Sequence, residues 1–382
     1  MTTLNHETRA MLAHSVSQFA ASEYSFDQRK ANQKNHQGQS PGHWQTFAEM
    51  GWLGIPFAED VGGLGGDFTD TLDVIRGFGQ ALVTEPYLAV VGQAGALIAG
   101  SSNESVRQAM LPGIASGELQ VIFAGEEKDS RGNPHHVALQ AEPDGTGFRL
   151  SGHKQVVLFS AQASQVVVSA RSSGDSHAPE GLELFLLPLD TPGITVTDFP
   201  MMDGHRGAVI AFDGVSVSSR QRLTDPGAAG DLLSRVNSQV ILMLVAEALG
   251  MMEVLLKKTA TYTKTRKQFG VALAEFQVLQ HRLSDMYIEL TNTDNLFRQT
   301  VERIRSADPD TASLAAMASR LKARMGQAGR YVGQQSVQLH GGIGMTDELD
   351  IGHYFKRLTA LEMLQGGTEF HIKKIWQQLK HQ

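Results

Sequence analysis

The chain has 382 residues, 41% of them hydrophobic and 19% charged, which suits two or three packed domains rather than one small core. A formal charge of −7 gives no reason to expect nucleic-acid binding, and the absence of cysteine excludes disulfides, thiol catalysis and Cys-ligated metal sites. The opening Met1-Thr-Thr-Leu-Asn-His-Glu7 lacks the pattern of a secretory signal, and no segment reads as the ~20 apolar residues of a membrane helix, so a soluble cytoplasmic protein is expected.

Residues 1–118 read as a helical domain. Leu12, Val16, Phe19 and Ala20 recur at three- and four-residue spacing, as do Leu72, Val74, Ile75, Phe78 and Leu82. The glycine-rich stretch Pro56 to Gly66 interrupts the helices. It reads as a tight interhelical loop rather than a phosphate cradle, because no helix-opening Lys-Ser/Thr follows. From 119 to 225 the period shortens to two. Val121–Ala124, Val137–Gln140, Gln155–Phe159, Gln165–Ser169, Leu182–Leu187 and Ala208–Phe212 are short β-like runs between turn signals, which argues for an antiparallel barrel or sandwich. From 226 to 382 long helical periods return, over Val236–Thr263, Leu273–Arg305 and Ala312–Leu339, and predict a helical bundle. Asp308-Pro309-Asp310 supplies a helix stop and the next N-cap. Helical, β, helical: the fold class is α+β.

Lys264, Arg266 and Lys267 precede Phe269-Gly270. A guanidinium beside a glycine hinge suits a pyrophosphate, and a basic helix end complementing its macrodipole fits the same residues equally well. Gln338-Leu-His-Gly-Gly-Ile-Gly344 carries more glycine than one helix cap requires, and so allows a ligand or another backbone to approach closely.

In this order and spacing, Tyr262 to Gly270, Phe276-Gln277, Gln338 to Gly344 and Gly367-Thr368 resemble the C-terminal domain of the acyl-CoA dehydrogenase family. The resemblance covers the whole chain, since Trp52-Leu-Gly-Ile-Pro56 and the helical–β–helical order also match. Gly352 to Leu358 and Phe276 to His281 are similar to the small subunit of pimeloyl-CoA dehydrogenase and related bacterial proteins. The resemblance implies non-covalent FAD, with Arg266, Phe269, Gln277, Gln338, Gly341, Gly342 and Thr368 as its contacts, and α,β-desaturation of an acyl-CoA. It also implies an electron-transfer flavoprotein or similar acceptor.

The sequence departs from the family at the reactive end. The family's Tyr-Glu-Gly-Thr reads Gln365-Gly366-Gly367-Thr368, so the base position holds Gly366; the alternative base position holds Val240, and Ile241 replaces a frequent Arg. Thr-Glu-Pro reads Gly125-Glu-Glu127, and the Trp-Ile-Thr that packs on the flavin reads Val156-Val-Leu158. Glu247 is a weak substitute base. A role as a buried partner of Lys or Arg is the blander expectation for it, and exposed helix-surface roles for Glu362 and Glu369. Glu126 and Glu127 are placed at a strand end. Neighbouring His135 and His136, if on a strand, point to opposite faces and do not form one metal site. His340 and His353 read as structural, Lys356 and Arg357 as a solvated pair or a CoA grip, and no metal is expected.

Three functional readings follow: a base-lacking small subunit that completes FAD binding in a heterotetramer with a second acyl-CoA dehydrogenase chain; a self-sufficient homomeric flavoenzyme using an unusual base such as Glu247 or Glu369, or running a different flavin reaction; and an assembly paralogue without flavin.

Overall fold

A computed structural model describes residues 4–35, 38–159, 161–178 and 180–380. Met1 to Thr3, with which the signal-peptide reading begins, lie outside them. In chain order the helices α1 (His6–Ser22), α2 (Phe26–Lys34), α3 (Pro41–Glu49), α4 (Leu72–Ala81), α5 (Ala96–Ala99) and α6 (Glu104–Ala115) come first. Strands β1 (Val121–Ala124), β2 (Gln140–Asp144), β3 (Gly147–Leu158), β4 (Gln165–Arg171), β5 (Leu182–Pro188), β6 (Ile194–Pro200) and β7 (Arg206–Ser218) follow. The remainder is α7 (Ala229–Thr265), the hairpin β8 (Lys267–Gln268) and β9 (Val271–Ala272), α8 (Gln277–Ala307), α9 (Thr311–His340), α10 (Ile351–Met363) and α11 (Thr368–Leu379).

The contacts divide the chain into two compact units. The first comprises Met1–Arg9, Lys30–Thr71 and Thr84–Val240. Its centre is a seven-stranded sheet in the order β1-β4-β2-β3-β7-β6, with β5 on the other side of β4. Ile122, Leu150, Val168, Phe185, Ile210 and Phe212 belong to its buried apolar face. The pairing is antiparallel except that β1 and, at one residue pair, β2 run parallel to β4, which corrects the all-antiparallel expectation. Two strands and their turns separate β1 from β4, long enough for a parallel return. The Pro56–Gly66 segment is the tight loop expected. Leu64, Gly65 and Gly66 N–H groups bond back to the carbonyls of Gly54, Phe57 and Ile55. A Cβ on Gly63 would stand 2.1 Å from the Phe57 oxygen, so the close approach demands glycine.

The second unit comprises Ala10–Arg29, Leu72–Val83 and Ile241–Gln382. α9 packs against α8, α10 and α11 and is its central helix. Asp310 caps α9 by accepting the Ser313 N–H at 2.7 Å, as its position after Pro309 predicts. The membrane expectation needs one correction. α7 contains an 18-residue stretch of mean hydropathy 1.9, long and apolar enough to span a bilayer. Since 78% of that stretch is buried within the protein, it has the character of a core helix, apolar on every side because every side is packed.

Candidate functional site

The second unit brings together the two glycine-bearing motifs. After α7 the chain turns through the β8–β9 hairpin, with Phe269 at φ 54° and Gly270 at φ 86° as its two-residue loop. Two positive φ values match the right-handed twist of the hairpin, and at Phe269 they hold a bulky residue in a region it rarely adopts, at a cost of about 1–3 kcal/mol. The ring is 94% exposed. Arg266, immediately before β8, and Gln277, the first residue of α8, are exposed as well. The Tyr262 ring on the last turns of α7 stacks on His340 at the end of α9, centroids 4.4 Å apart, and its hydroxyl donates to the His340 carbonyl at 3.4 Å. This joins the hairpin to the α9 terminus, where Gln338, Gly341 and Gly342 are exposed. Nothing stands within 4 Å of a Cβ added at Gly341 or Gly342, so their backbone forms an open rim. A guanidinium, a projecting aromatic ring, two side-chain amides and an open backbone rim are donors and surfaces that fit a dinucleotide.

Thr368 is placed differently. The turn Leu364–Gly367 joins α10 to α11 with Gln365 at φ 56° and Gly366 at φ 91°. Lys322, buried on α9, donates to the carbonyls of Glu362 and Gly366, each at 2.8 Å. Burial pushes this ammonium down to about 7, against the raising effect of Glu362. His371 Nε2 donates to the Gln365 carbonyl at 2.9 Å. The Glu362 carboxylate accepts the Thr368 N–H at 2.9 Å and lies 3.5 Å from Arg330. Burial tends to raise the pKa of Glu362, but the Thr368 N–H and hydroxyl, with Lys322 and Arg330 nearby, hold it below the usual carboxylate range. Glu362 is therefore a helix cap and not the surface residue expected. The Thr368 hydroxyl is shielded from water, and a Cβ on Gly326 of α9 would stand 2.1 Å from it.

Neither base position offers a carboxylate. Gly366 is buried, and Val240 and Ile241 are core side chains. Glu247 is held by Arg357 through bonds of 2.7 and 2.9 Å, which is the bland expectation for Glu247 and a correction for Arg357, expected at the surface. Lys356 meets Asp347 at 3.3 Å, and Glu369 is exposed on the first turn of α11.

In the first unit, Lys154 is fully buried and bonds Glu127 at 2.7 Å, Ser169 at 2.9 Å and the Gly125 carbonyl at 3.3 Å. Glu127 also accepts the Ala138 and Leu139 N–H groups, so it fastens the 125–139 segment. Burial raises the Glu126 pKa, partly offset by Lys154. At Val156 the register of β3 against β7 slips, φ reaches 52°, and the side chain is 47% exposed. A β-branched residue at positive φ is a true outlier.

The histidines are structural in their contacts. His135 lies in a turn rather than a strand and meets Ser234, while His136 meets His177. His340 Nδ1 donates to the Ser336 carbonyl at 2.8 Å, and His353 Nδ1 accepts from Arg29 at 2.9 Å. Among the described residues no group of three or more His, Asp or Glu could hold a metal. Lys322 and Lys154 escaped the sequence reading. For Lys322 a signal existed: with Ala318, Met325 and Gly329 it falls on the inward stripe of α9.

Comparison with known proteins agrees with this architecture. Residues 6–118 match the acyl-CoA dehydrogenase N-terminal domain, and residues 242–380 match the acyl-CoA dehydrogenase C-terminal domain. Acyl-CoA dehydrogenase FadE12 of Mycobacterium tuberculosis is 28% identical over 359 residues, 91% of this chain and 89% of that protein. The solved Tcur3481–Tcur3483 steroid ACAD superposes with a TM-score of 0.88 at 26% identity, covering 98% of each chain. The ChsE4–ChsE5 complex of M. tuberculosis gives 0.88 at 22% identity over 100% of each chain, a likeness of fold. With family domains at both ends and the fold shared along its whole length, the chain belongs to the acyl-CoA dehydrogenase family, FAD-dependent oxidoreductases acting on CH–CH bonds.

Proposed function

We propose that this chain is the base-lacking subunit of a heteromeric acyl-CoA dehydrogenase, completing the flavin site of a second dehydrogenase chain that carries the carboxylate base. The observation that carries this reading is Gly366. At the base position the chain has no side chain, its φ is 91°, and a Cβ there would meet the Phe370 ring at 2.6 Å. α,β-Desaturation of an acyl-CoA requires a group to take the α-proton, and bound FAD supplies the acceptor for the β-hydrogen. Among this chain's own residues, Arg266 offers charge-assisted bonds to a phosphate, Phe269 a ring face, and Gln277, Gln338 and the Gly341–Gly342 backbone orienting donors. An electron-transfer flavoprotein or similar acceptor then removes the electrons.

The ChsE4–ChsE5 neighbour, itself a complex, supports the two-chain arrangement, and the segments Gly352–Leu358 and Phe276–His281 support the likeness to the pimeloyl-CoA dehydrogenase small subunit. In this reading residues 1–118, 119–225 and 226–382 serve as the family's three domains in a cytoplasmic heterotetramer. The bidentate engagement of Glu247 speaks against the self-sufficient homomeric alternative.

The test is to purify the chain alone and after co-expression with an acyl-CoA dehydrogenase chain that carries the carboxylate base, then measure mass, flavin content and ferrocenium-dependent turnover. The reading expects flavin and turnover only in the mixed assembly. Full flavin occupancy and brisk turnover by the chain alone would overturn it.

A further inference from the structure

A helix N-terminus attracts anions because its first N–H groups lack intrahelical acceptors and carry the positive end of the macrodipole. The start of α11 is such a terminus, and in this chain its anion is built in. The Glu362 carboxylate, on the penultimate residue of α10, reaches across the connecting turn to the Thr368 N–H at 2.9 Å. Three further side chains hold that arrangement. Lys322 bonds the carbonyls of Glu362 and Gly366 from beneath, His371 bonds the carbonyl of Gln365 from the next turn of α11, and Arg330 stands 3.5 Å from the Glu362 carboxylate. The Thr368 hydroxyl faces Gly326 of α9, where only a residue without a side chain leaves it room. A second anion approaching Thr368 would meet an N–H already occupied by Glu362 and the like charge of its carboxylate.

The open rim lies elsewhere. Gly326 and Gln338 are twelve residues apart on α9, about 18 Å at 1.5 Å per residue.

We propose that Glu362 closes the N-terminus of α11 from within, so that Thr368 holds no phosphate and this chain contributes to a flavin site only through the Arg266–Gln277 segment and the Gln338–Gly342 rim. The inference rests on the proposed function and sharpens it. The chain keeps one group of cofactor contacts open and has sealed another, so a flavin it serves must obtain its remaining contacts from the partner.

The test uses the co-expressed assembly, stripped of flavin and titrated with FAD. Thr368→Val is expected to leave the FAD dissociation constant within twofold, whereas Arg266→Ala weakens it at least tenfold. A tenfold weakening by Thr368→Val, with circular dichroism and melting temperature unchanged, overturns the closure. Unaltered FAD binding in both Arg266→Ala and Gln338→Ala overturns instead the reading on which it rests. Should Thr368→Val fold poorly, hydrogen exchange decides: Glu362→Ala must speed exchange in the peptide spanning 364–368 at least tenfold, and equal rates would show that Glu362 caps nothing.

Discussion

Glu247 and Arg357 form a buried two-pronged pair, the Arg357 Nε–H donating to Oε1 at 2.7 Å and an Nη2–H to Oε2 at 2.9 Å. It ties α7 to α10. With both carboxylate oxygens engaged and the pair largely shielded from water, Glu247 has neither the freedom nor the orientation of a general base. Removing one charge of a buried pair leaves the other uncompensated, which costs about 3–5 kcal/mol. Glu247→Gln is therefore expected to lower the urea midpoint of the chain while leaving turnover per flavin-loaded assembly within about twofold. Lost turnover at unchanged stability would reinstate Glu247 as a base.

His371 gives the C-terminal turn a pH dependence of definite sign. Its Nε2 donates to Gln365, while Nδ1 is buried without a hydrogen-bond partner, so protonation would bury an uncompensated charge. Burial, with help from Lys322 and Lys374, pushes the imidazole down to about 4. The unfolded chain, with an ordinary His pKa of about 6.5, takes up a proton that the folded chain refuses. The neutral ring's contribution is thus complete above pH ~6.5 and lost as the pH falls toward 4, up to about 3 kcal/mol in all. Urea unfolding at pH 7.5 and 5.0 measures it. His371→Gln keeps a donor for the carbonyl but does not titrate, and is expected to flatten the difference.

Phe269 separates stability from binding. Because the ring is 94% exposed, Phe269→Ala is expected to change folding stability by no more than about 0.5 kcal/mol. The same substitution is expected to weaken FAD retention in the assembled enzyme at least tenfold, read from flavin absorbance after gel filtration. A Phe269→Ala assembly that keeps its flavin would make the projecting ring an ordinary hairpin tip.

The parts of this molecule that were readable in sequence are those where one residue pattern has one physical outcome. The period shifts located the helical and β regions, Pro309-Asp310 gave the start of α9, and the glycines at 341 and 342 gave the open rim. β6 escaped because Ile194–Pro200 mixes Thr, Asp and Pro with its apolar residues and is an edge strand, buried only in part. The parallel neighbours of β4 escaped because pairing partners are chosen between segments, not within them. Glu362 and Thr368 show the same limit at the site. The motif names Thr368 alone, whereas the fold brings to it a carboxylate from the preceding helix and a glycine from α9, and neither is visible in the motif.

Restoring the family's carboxylate at position 366 is the sharpest single test of whether the base was merely deleted. Gly366 has φ 91°, where an L side chain costs about 1–3 kcal/mol, and an added Cβ would stand 2.6 Å from Phe370 Cδ1. Its carbonyl is also held by buried Lys322, so the turn is not free to rotate into a conformation that accepts a side chain. Phe370 is the softer obstacle, since its half-exposed ring can swing away. Gly366→Glu is therefore expected to destabilise the chain by about 2 kcal/mol and to yield no turnover with acyl-CoA in the homomeric preparation. Pairing it with Phe370→Ala relieves the contact but not the backbone strain, and is expected to recover part of the stability without creating activity. Turnover by Gly366→Glu alone would mean that the turn is adaptable, and that one lost carboxylate separates this chain from a self-sufficient dehydrogenase.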